Sequence, residues 1–314
     1  MYYIGIDLGG TNIAVGIVTK EGEIVKKTSV PARAERPFEE IFADMAACIA
    51  RLLNETGIPE GEIASIGIGT PGCIDTEKGM LVFAGNFKYG KMVNYRELMA
   101  KHYPNIPVYI GNDANVAALG EVRAGSAKGM RHAIMITLGT GVGGGIIING
   151  EIYEGQASAA GELGHIVLVQ HGEQCTCGRK GCWEAYASVT GLVRQTKAAM
   201  QANPDSIMNN TPMDQVSGRT AFDAAKKGDK AALAVVDRYE EYIAEGLADM
   251  VNIFRPEVLI IGGGICKEGE YLLAPVRKYV GEKAFGAGLL PEQKIVAASL
   301  GNDAGLIGAA LLHA

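Results

Sequence analysis

The chain has no surplus of positive charge: its 314 residues hold 29 Lys and Arg against 35 Asp and Glu, a formal net charge of -6. Proteins that neutralise a phosphate backbone need a basic field, so nucleic acid is not an expected partner. No apolar run approaches the ~20 residues of a membrane-crossing helix. The start, Met1-Tyr2-Tyr3-Ile4, goes straight into a strand pattern with no charged n-region, apolar h-region or cleavage site. A cytoplasmic protein is the expectation. The sequence also lacks G-x-x-x-x-G-K, which excludes a P-loop. Its G-x-G-x-x-G match, Gly139 to Gly144, runs on into the apolar strand Ile146 to Ile148. The dinucleotide fingerprint must open a helix to seat a pyrophosphate, so that reading fails as well.

What is present is a globular α/β profile: 48% apolar residues, 20% charged residues and 43 glycines. The length fits two domains of about 150 residues each.

Three of the six cysteines fall within eight residues, in Gly161 to Glu184. There His165, Cys175, Cys177 and Cys182 give the spacing H-x9-C-x-C-x4-C, a donor set suited to a closed tetrahedral zinc site. A reducing cytosol argues against a disulfide, and Cys-x-Cys is not the C-x-x-C of a thioredoxin-like motif. Glu162 precedes His165 by three residues, on the same side of a helical turn, and Glu184 follows Cys182 by two. A metal that pins one imidazole nitrogen aims the other at a partner. The loop is therefore expected to gather two carboxylates and one imidazole around a small polar ligand.

Two strands, Tyr2 to Asp7 and Ile13 to Val18, flank the turn Leu8-Gly9-Gly10-Thr11-Asn12, whose backbone N–H groups can approach an anion. Asp7 at the strand end suits Mg²⁺ or its water shell. Helical spacing of Ile41, Met45, Ile49 and Leu52 predicts a helix over 37–56, stopped at Gly57-Ile58-Pro59. The strand Ile63 to Ile68 runs into the rigid turn Gly69-Thr70-Pro71-Gly72, which can present backbone to a ligand. Asn86 follows in a polar loop, and 95–102 is expected to be a short helix.

Asp113, in Gly111-Asn112-Asp113-Ala114-Asn115, lies between the strand Val108 to Ile110 and the helical stretch Val116 to Val122. Ligands bind there in open α/β sheets. Its alternative role is helix N-cap. The strand Ala133 to Leu138 leads to a second glycine hairpin at Gly139-Thr140-Gly141, resembling the first, as if two halves of a duplicated fold clasped one polyphosphate. Helices are expected at 189–201 and 231–254, with a polar loop at 203–211. The strand Val258 to Ile261 opens into Gly262-Gly263-Gly264, flat backbone that can lie beside a purine. Gly301-Asn302-Asp303-Ala304 repeats the earlier tetrapeptide, and here Asp303 is read as the N-cap of the terminal helix 304–312.

These motifs resemble those of the ROK family of sugar kinases, most closely its bacterial glucokinases, over essentially the whole chain. The most specific stretch runs from Glu162-Leu163-Gly164-His165 to Cys182-Trp183-Glu184. The resemblance implies an actin-like ATPase fold of ribonuclease-H type, with two α/β domains around a cleft. These would be residues 1–117 closed by the helix 303–314, and residues 118–302 with the zinc loop. It implies a glycolytic kinase passing a phosphoryl group from Mg-ATP to the 6-hydroxyl of glucose, with Asp113 as general base. Gly72, Asn86, Asn112, Asp113, Glu162, His165 and Glu184 would bind sugar. Asp7, Gly9, Gly10, Thr11, Asn12, Gly139, Thr140, Gly141, Gly262, Gly263 and Gly264 would bind ATP, and His165, Cys175, Cys177 and Cys182 zinc. Family precedent adds a homodimer or homotetramer. Kinases of N-acetylmannosamine, fructose or allose share this polar set, and a non-catalytic sugar-responsive regulator is the alternative of another class. The chain departs from the glucokinase pattern at Asn86-Phe87-Lys88-Tyr89, and its sole tryptophan is Trp183.

Overall fold

The computed structural model describes residues 1–314. In chain order it places β1 (Tyr2–Leu8), β2 (Asn12–Val18), β3 (Ile24–Pro31), α1 (Phe38–Thr56), β4 (Ile63–Thr70), β5 (Cys73–Asp75), β6 (Met80–Phe83), β7 (Lys91–Asn94), α2 (Tyr95–Ala100), β8 (Val108–Asn112) and α3 (Asp113–Ala124). There follow β9 (Ala133–Leu138), β10 (Val142–Ile148), β11 (Glu151–Ile152), α4 (Glu184–Ala187), α5 (Val189–Ala202), α6 (Gly218–Ala225), α7 (Lys230–Phe254), β12 (Val258–Gly262), α8 (Glu270–Lys283), β13 (Lys294–Ala297) and α9 (Ala304–Ala310).

The first large sheet has the order β3-β2-β1-β4-β8. β1 pairs antiparallel with β2 and parallel with β4, and β4 pairs parallel with β8. Because both sheet faces are covered, β1 is apolar on both sides. On one face Ile4, Ile6 and Leu8 join Ile41, Phe42, Met45 and Ile49 of α1 in a core. On the other, Tyr3 and Val18 pack with Leu306, Ile307 and Ala310 of α9. α9 lies so close that a Cβ on Gly5 would sit 2.0 Å from the Leu306 carbonyl oxygen, and one on Gly67 1.8 Å from that of Ala309. Glycine is obligatory at both positions. The helix α1 ends at Gly57, in the left-handed conformation with φ 71°, whose N–H donates to the Leu53 carbonyl.

The second large sheet has the order β11-β10-β9-β12-β13, with β12 and β13 parallel. Ranked by appearance in the chain, both sheets run third, second, first, fourth, fifth. The repeated order is the duplicated ribonuclease-H-type arrangement of the actin-like ATPase fold. A three-stranded sheet, β5-β6-β7, follows β4.

Two compact units form. One comprises 1–133, 145–161 and 299–314, the other 134–144 and 162–298. The sequence expectation drew its line at 117/118. The compact grouping keeps all of α3 with the N-terminal residues because α3 packs on α9: a Cβ on Gly120 would lie 2.4 Å from the Ala304 carbonyl oxygen. The predicted polar loop at 203–211 holds a 3-10 turn, Ile207–Asn210.

Candidate active site

The carboxyl ends of β1, β4 and β8 lie side by side in the first unit, with Asp7 in register with Gly69 and Thr70 with Asn112. At this edge Gly9 donates its N–H to the Asn12 carbonyl at 2.9 Å, closing the first glycine turn. Asn86 sits beside it, its Cβ 3.6 Å from where a Cβ on Gly10 would be. Gly72 has φ 107°, and a Cβ there would meet the Phe83 carbonyl oxygen at 2.3 Å. The Asn112 side-chain amide donates to the Gly72 carbonyl at 3.4 Å. Gly10, Gly72, Asn86, Asn112 and Asp113 thus share one rim with Asp7. Thr11 and Asn12 are exposed.

Asn112 is the N-cap of α3: its Oδ1 accepts from the N–H groups of Ala114 and Asn115 at 3.0 and 3.3 Å. Asp113 therefore sits at the first helical position, relieved of capping, with one oxygen accepting from the Ala114 N–H at 2.8 Å. It is solvent-accessible, yet surrounding protein raises its pKa by desolvation, partly offset by the Ala114 N–H. The twin aspartate corrects the sequence reading. Asp303 makes no capping hydrogen bond, and its carboxylate is tied to Lys27 Nζ at 2.5 Å. An ion pair, not N-capping, occupies it.

Burial, then repulsion from Asp113, pushes Asp7 up from 3.8 to about 6. Two crowded carboxylates disfavour each other's ionised form. A folded-state pKa above the unfolded value means that stability present below pH ~4 is lost as pH rises through about 6. Asp7→Asn is therefore expected to stabilise the ligand-free protein by about 3 kcal/mol at neutral pH, with the gain vanishing near pH 4, and to abolish turnover. Thermal melts from pH 4 to 8 beside activity assays check both halves.

In the second unit, the turn after β9 is closed by the Gly139 N–H donating to the Gly141 carbonyl at 3.0 Å. The Thr190 hydroxyl donates to the Thr140 carbonyl at 2.8 Å, fastening the turn to the start of α5. Gly139, Thr140 and Gly264 line a 720 Å³ cavity whose walls include Val193, Asp223 and Ile265. Gly262 ends β12, and Gly263, at φ 99°, packs against Leu138 behind this cavity wall; a Cβ on Gly263 would meet the Leu138 carbonyl oxygen at 2.1 Å. Sequence reasoning missed the α5 and α6 residues here. The Ser217 to Thr220 capping box that opens α6 was the available signal.

The donor atoms of His165, Cys175, Cys177 and Cys182 all lie within 4.8 Å of one another. Cys177 and Cys182 sulfurs are 3.6 Å apart, and Cys175 Sγ is 3.7 Å from His165 Nδ1. A tetrahedron with Zn–S bonds of about 2.3 Å has edges of roughly 3.7 Å. The residues fit zinc. With Nδ1 turned to the sulfurs, His165 Nε2 is left for another partner. Glu162 opens the 3-10 turn Leu163–His165, and its exposed carboxylate has no hydrogen-bond partner. The Glu184 carboxylate, by contrast, is engaged: it accepts from the Val142 N–H at 3.1 Å and the Thr176 hydroxyl at 2.9 Å. It ties the glycine turn to the cysteine loop.

Trp183 anchors that loop. It is fully buried, and its indole N–H donates to the Tyr242 carbonyl at 2.7 Å. The ring lies on bare backbone of α7, since a Cβ on Gly246 would come within 2.1 Å of it. Gly246→Ala is expected to cost about 1–3 kcal/mol through overpacking and to lower metal retention by displacing Cys182. Thermal melts with metal analysis of the same sample check it.

The glucokinase of Streptomyces coelicolor is 38% identical to this chain over 98% of it and 96% of the relative. That of Thermotoga maritima is 36% identical over 98% and 95%. A ROK family glucokinase from Streptomyces griseus, solved in complex with glucose and AMPPNP, superposes with a TM-score of 0.79 at 36% identity, covering 99% of each chain. The sequence profile of the ROK family matches residues 3–314, and with relatives this similar along nearly the whole length, the chain belongs to the ROK family.

Proposed function

We infer that the protein is an ATP-dependent glucokinase, transferring the terminal phosphoryl group of ATP to the 6-hydroxyl of glucose. The observation that carries this reading is Asp113, a carboxylate at the first position of α3, freed from capping by Asn112 and raised in pKa. A general base needs a free acceptor poised toward the working pH. Asp113 accepts the hydroxyl proton as the sugar oxygen bonds to phosphorus and the bond to ADP breaks. Asn112 and Asp113, with the Gly72 backbone and Asn86, take sugar hydroxyls in the first unit. Glu162, His165 Nε2 and Glu184 take them in the second, so sugar binding displaces or shares the hydrogen bonds now made by Glu184.

The 720 Å³ cavity, with apolar walls at Val189, Val193 and Ile265 and a polar floor at Thr140 and Asp223, suits a purine nucleoside. The two glycine turns, Gly9 to Asn12 and Gly139 to Gly141, take the phosphates. Zinc, held by His165, Cys175, Cys177 and Cys182, supplies no chemistry beyond fixing the loop and the imidazole tautomer. Mg²⁺ at Asp7 would neutralise phosphate charge, and the mutual repulsion of Asp7 and Asp113 favours a cation there. No helix is long and apolar enough to cross a membrane. A cytoplasmic homodimer or homotetramer serving glycolysis completes the reading.

A coupled ADP-release assay over glucose, N-acetylmannosamine, fructose and mannose tests it. Glucose is expected to give the highest kcat/KM. A higher value with another hexose would move the assignment within the family, and no ADP with any sugar would make the protein a regulator.

A further inference from the structure

The 720 Å³ cavity of the second unit carries an uneven set of charges. Arg219 and Asp223 reach it from α6, Lys226 from the C-terminal end of that helix, and Lys267 and Glu268 from the 3-10 turn Gly264–Glu268 after β12. One pair is self-contained: Lys226 Nζ donates to Glu268 Oε2 at 2.5 Å, and with the Glu268 side chain only 9% exposed the two charges cancel. Arg219 and Lys267 are exposed, and neither side chain has an ion-pair or hydrogen-bond partner. Arg219 lies one turn from Asp223 on α6 without pairing with it. It also stands in the first turn of the helix, where the backbone dipole favours an anion and disfavours a cation. Nothing in the folded chain accounts for a cation at that position. Two free cations against one free carboxylate thus remain in the cavity, in a chain of net charge -6.

We propose that Arg219 and Lys267 bind the nucleotide through its charge: they reverse the field of an acidic protein at this cavity and draw the anionic donor into it. An acidic chain repels an anion at long range, whereas unpaired cations lining a low-dielectric cleft focus the opposite field and raise the local substrate concentration. The glycine turn Gly139 to Gly141, assigned above to the phosphates, supplies Gly139 and Thr140 to the same cavity, so the two cations and the phosphate turn share one enclosure. The turn offers only the dipoles of its N–H groups. Arg219 and Lys267 add formal charge. The inference rests on this cavity as the nucleotide site, and Val193→Trp, which fills the cavity, tests that reading separately.

Variants of the full chain, each checked for folding by thermal melts, are compared by steady-state kinetics with ATP and by inhibition with adenosine, an uncharged probe. Arg219→Gln and Lys267→Gln are each expected to raise KM for ATP about fivefold at low ionic strength, with kcat and KM for glucose within about twofold of the parent. At 1 M salt, where the screening length is about 3 Å, the difference in KM for ATP should shrink below about twofold. Inhibition by adenosine should be unchanged, and Arg219→Lys and Lys267→Arg should restore the parent values. Glu268→Gln leaves Lys226 uncompensated and should lower KM for ATP by about twofold, a gain that lost structure does not give. If Val193→Trp leaves KM for ATP unchanged, the cavity is not the nucleotide site. If Val193→Trp raises it but the two neutral variants do not, or if those variants weaken adenosine as much as ATP, or if their effect persists at 1 M salt, the cations do not act through charge and the proposal falls.

Discussion

Replacing Asp113 by Asn lowers kcat for glucose phosphorylation by an expected 10²–10⁴-fold, about the worth of a positioned general base, while glucose binding stays close to that of the parent. The reasoning is local. Asparagine keeps the shape of the side chain and the acceptor that receives the Ala114 N–H, so α3 starts as before under the Asn112 cap. What it loses is the ability to take a proton. Losing an interaction used only in the transition state lowers kcat and kcat/KM together. Glucose affinity measured by calorimetry beside kcat separates this from a binding defect. Near-normal turnover would remove Asp113 from the mechanism. Asp303→Asn, in the same tetrapeptide, breaks only an exposed ion pair with Lys27 and should leave kcat unchanged.

The second large effect is expected at the cysteine loop. Cys182→Ser exchanges a soft donor for a hard one in a site whose remaining ligands are two sulfurs and an imidazole. Cys182 is fully buried, and burial pushes its thiol up to about 12, so the metal-free loop keeps it protonated. The variant should lose most bound zinc and show a KM for glucose raised by about 100-fold. Between Cys175 and Cys182 most residues are exposed, so the loop leans on its edges, through the Trp183 anchor, the Thr176–Glu184 hydrogen bond and the bridges Val167–Cys182 and Gln174–Lys180, and on the metal at its centre. Zinc content by elemental analysis with glucose kinetics checks the prediction, and parent protein stripped by a chelator should regain activity when zinc is returned. A zinc-free protein with unchanged KM would detach the metal from sugar recognition.

Where residue spacing alone decides structure, the sequence was readable. The apolar period of α1, the glycine turns after β1 and β9, and the H-x9-C-x-C-x4-C set all correspond to what forms, because each is fixed by neighbours in the chain. The edge strand β3 escaped notice since Lys26 and Lys27 sit consecutively on an exposed strand with no clean alternation. The sheet β5-β6-β7 is built from strands of three or four residues, too short for a period to show. Asp303 was misread because a tetrapeptide carries no information about Lys27, 276 residues away. Nor does any local pattern say that Glu184 reaches the Val142 N–H, or that α5, α6 and the turn after β12 converge on one cavity.

The helix α9 has a consequence for how the polypeptide is made. It covers one face of the first sheet through glycine contacts at Gly5 and Gly67, yet the ribosome reaches it roughly 140 residues after the rest of that unit. At ~5–20 residues per second, the nascent chain waits on the order of ten seconds with Tyr3, Val18 and their neighbours uncovered. Over that interval one apolar face of the first sheet stays open to water, the kind of transiently exposed surface that invites misassembly during synthesis.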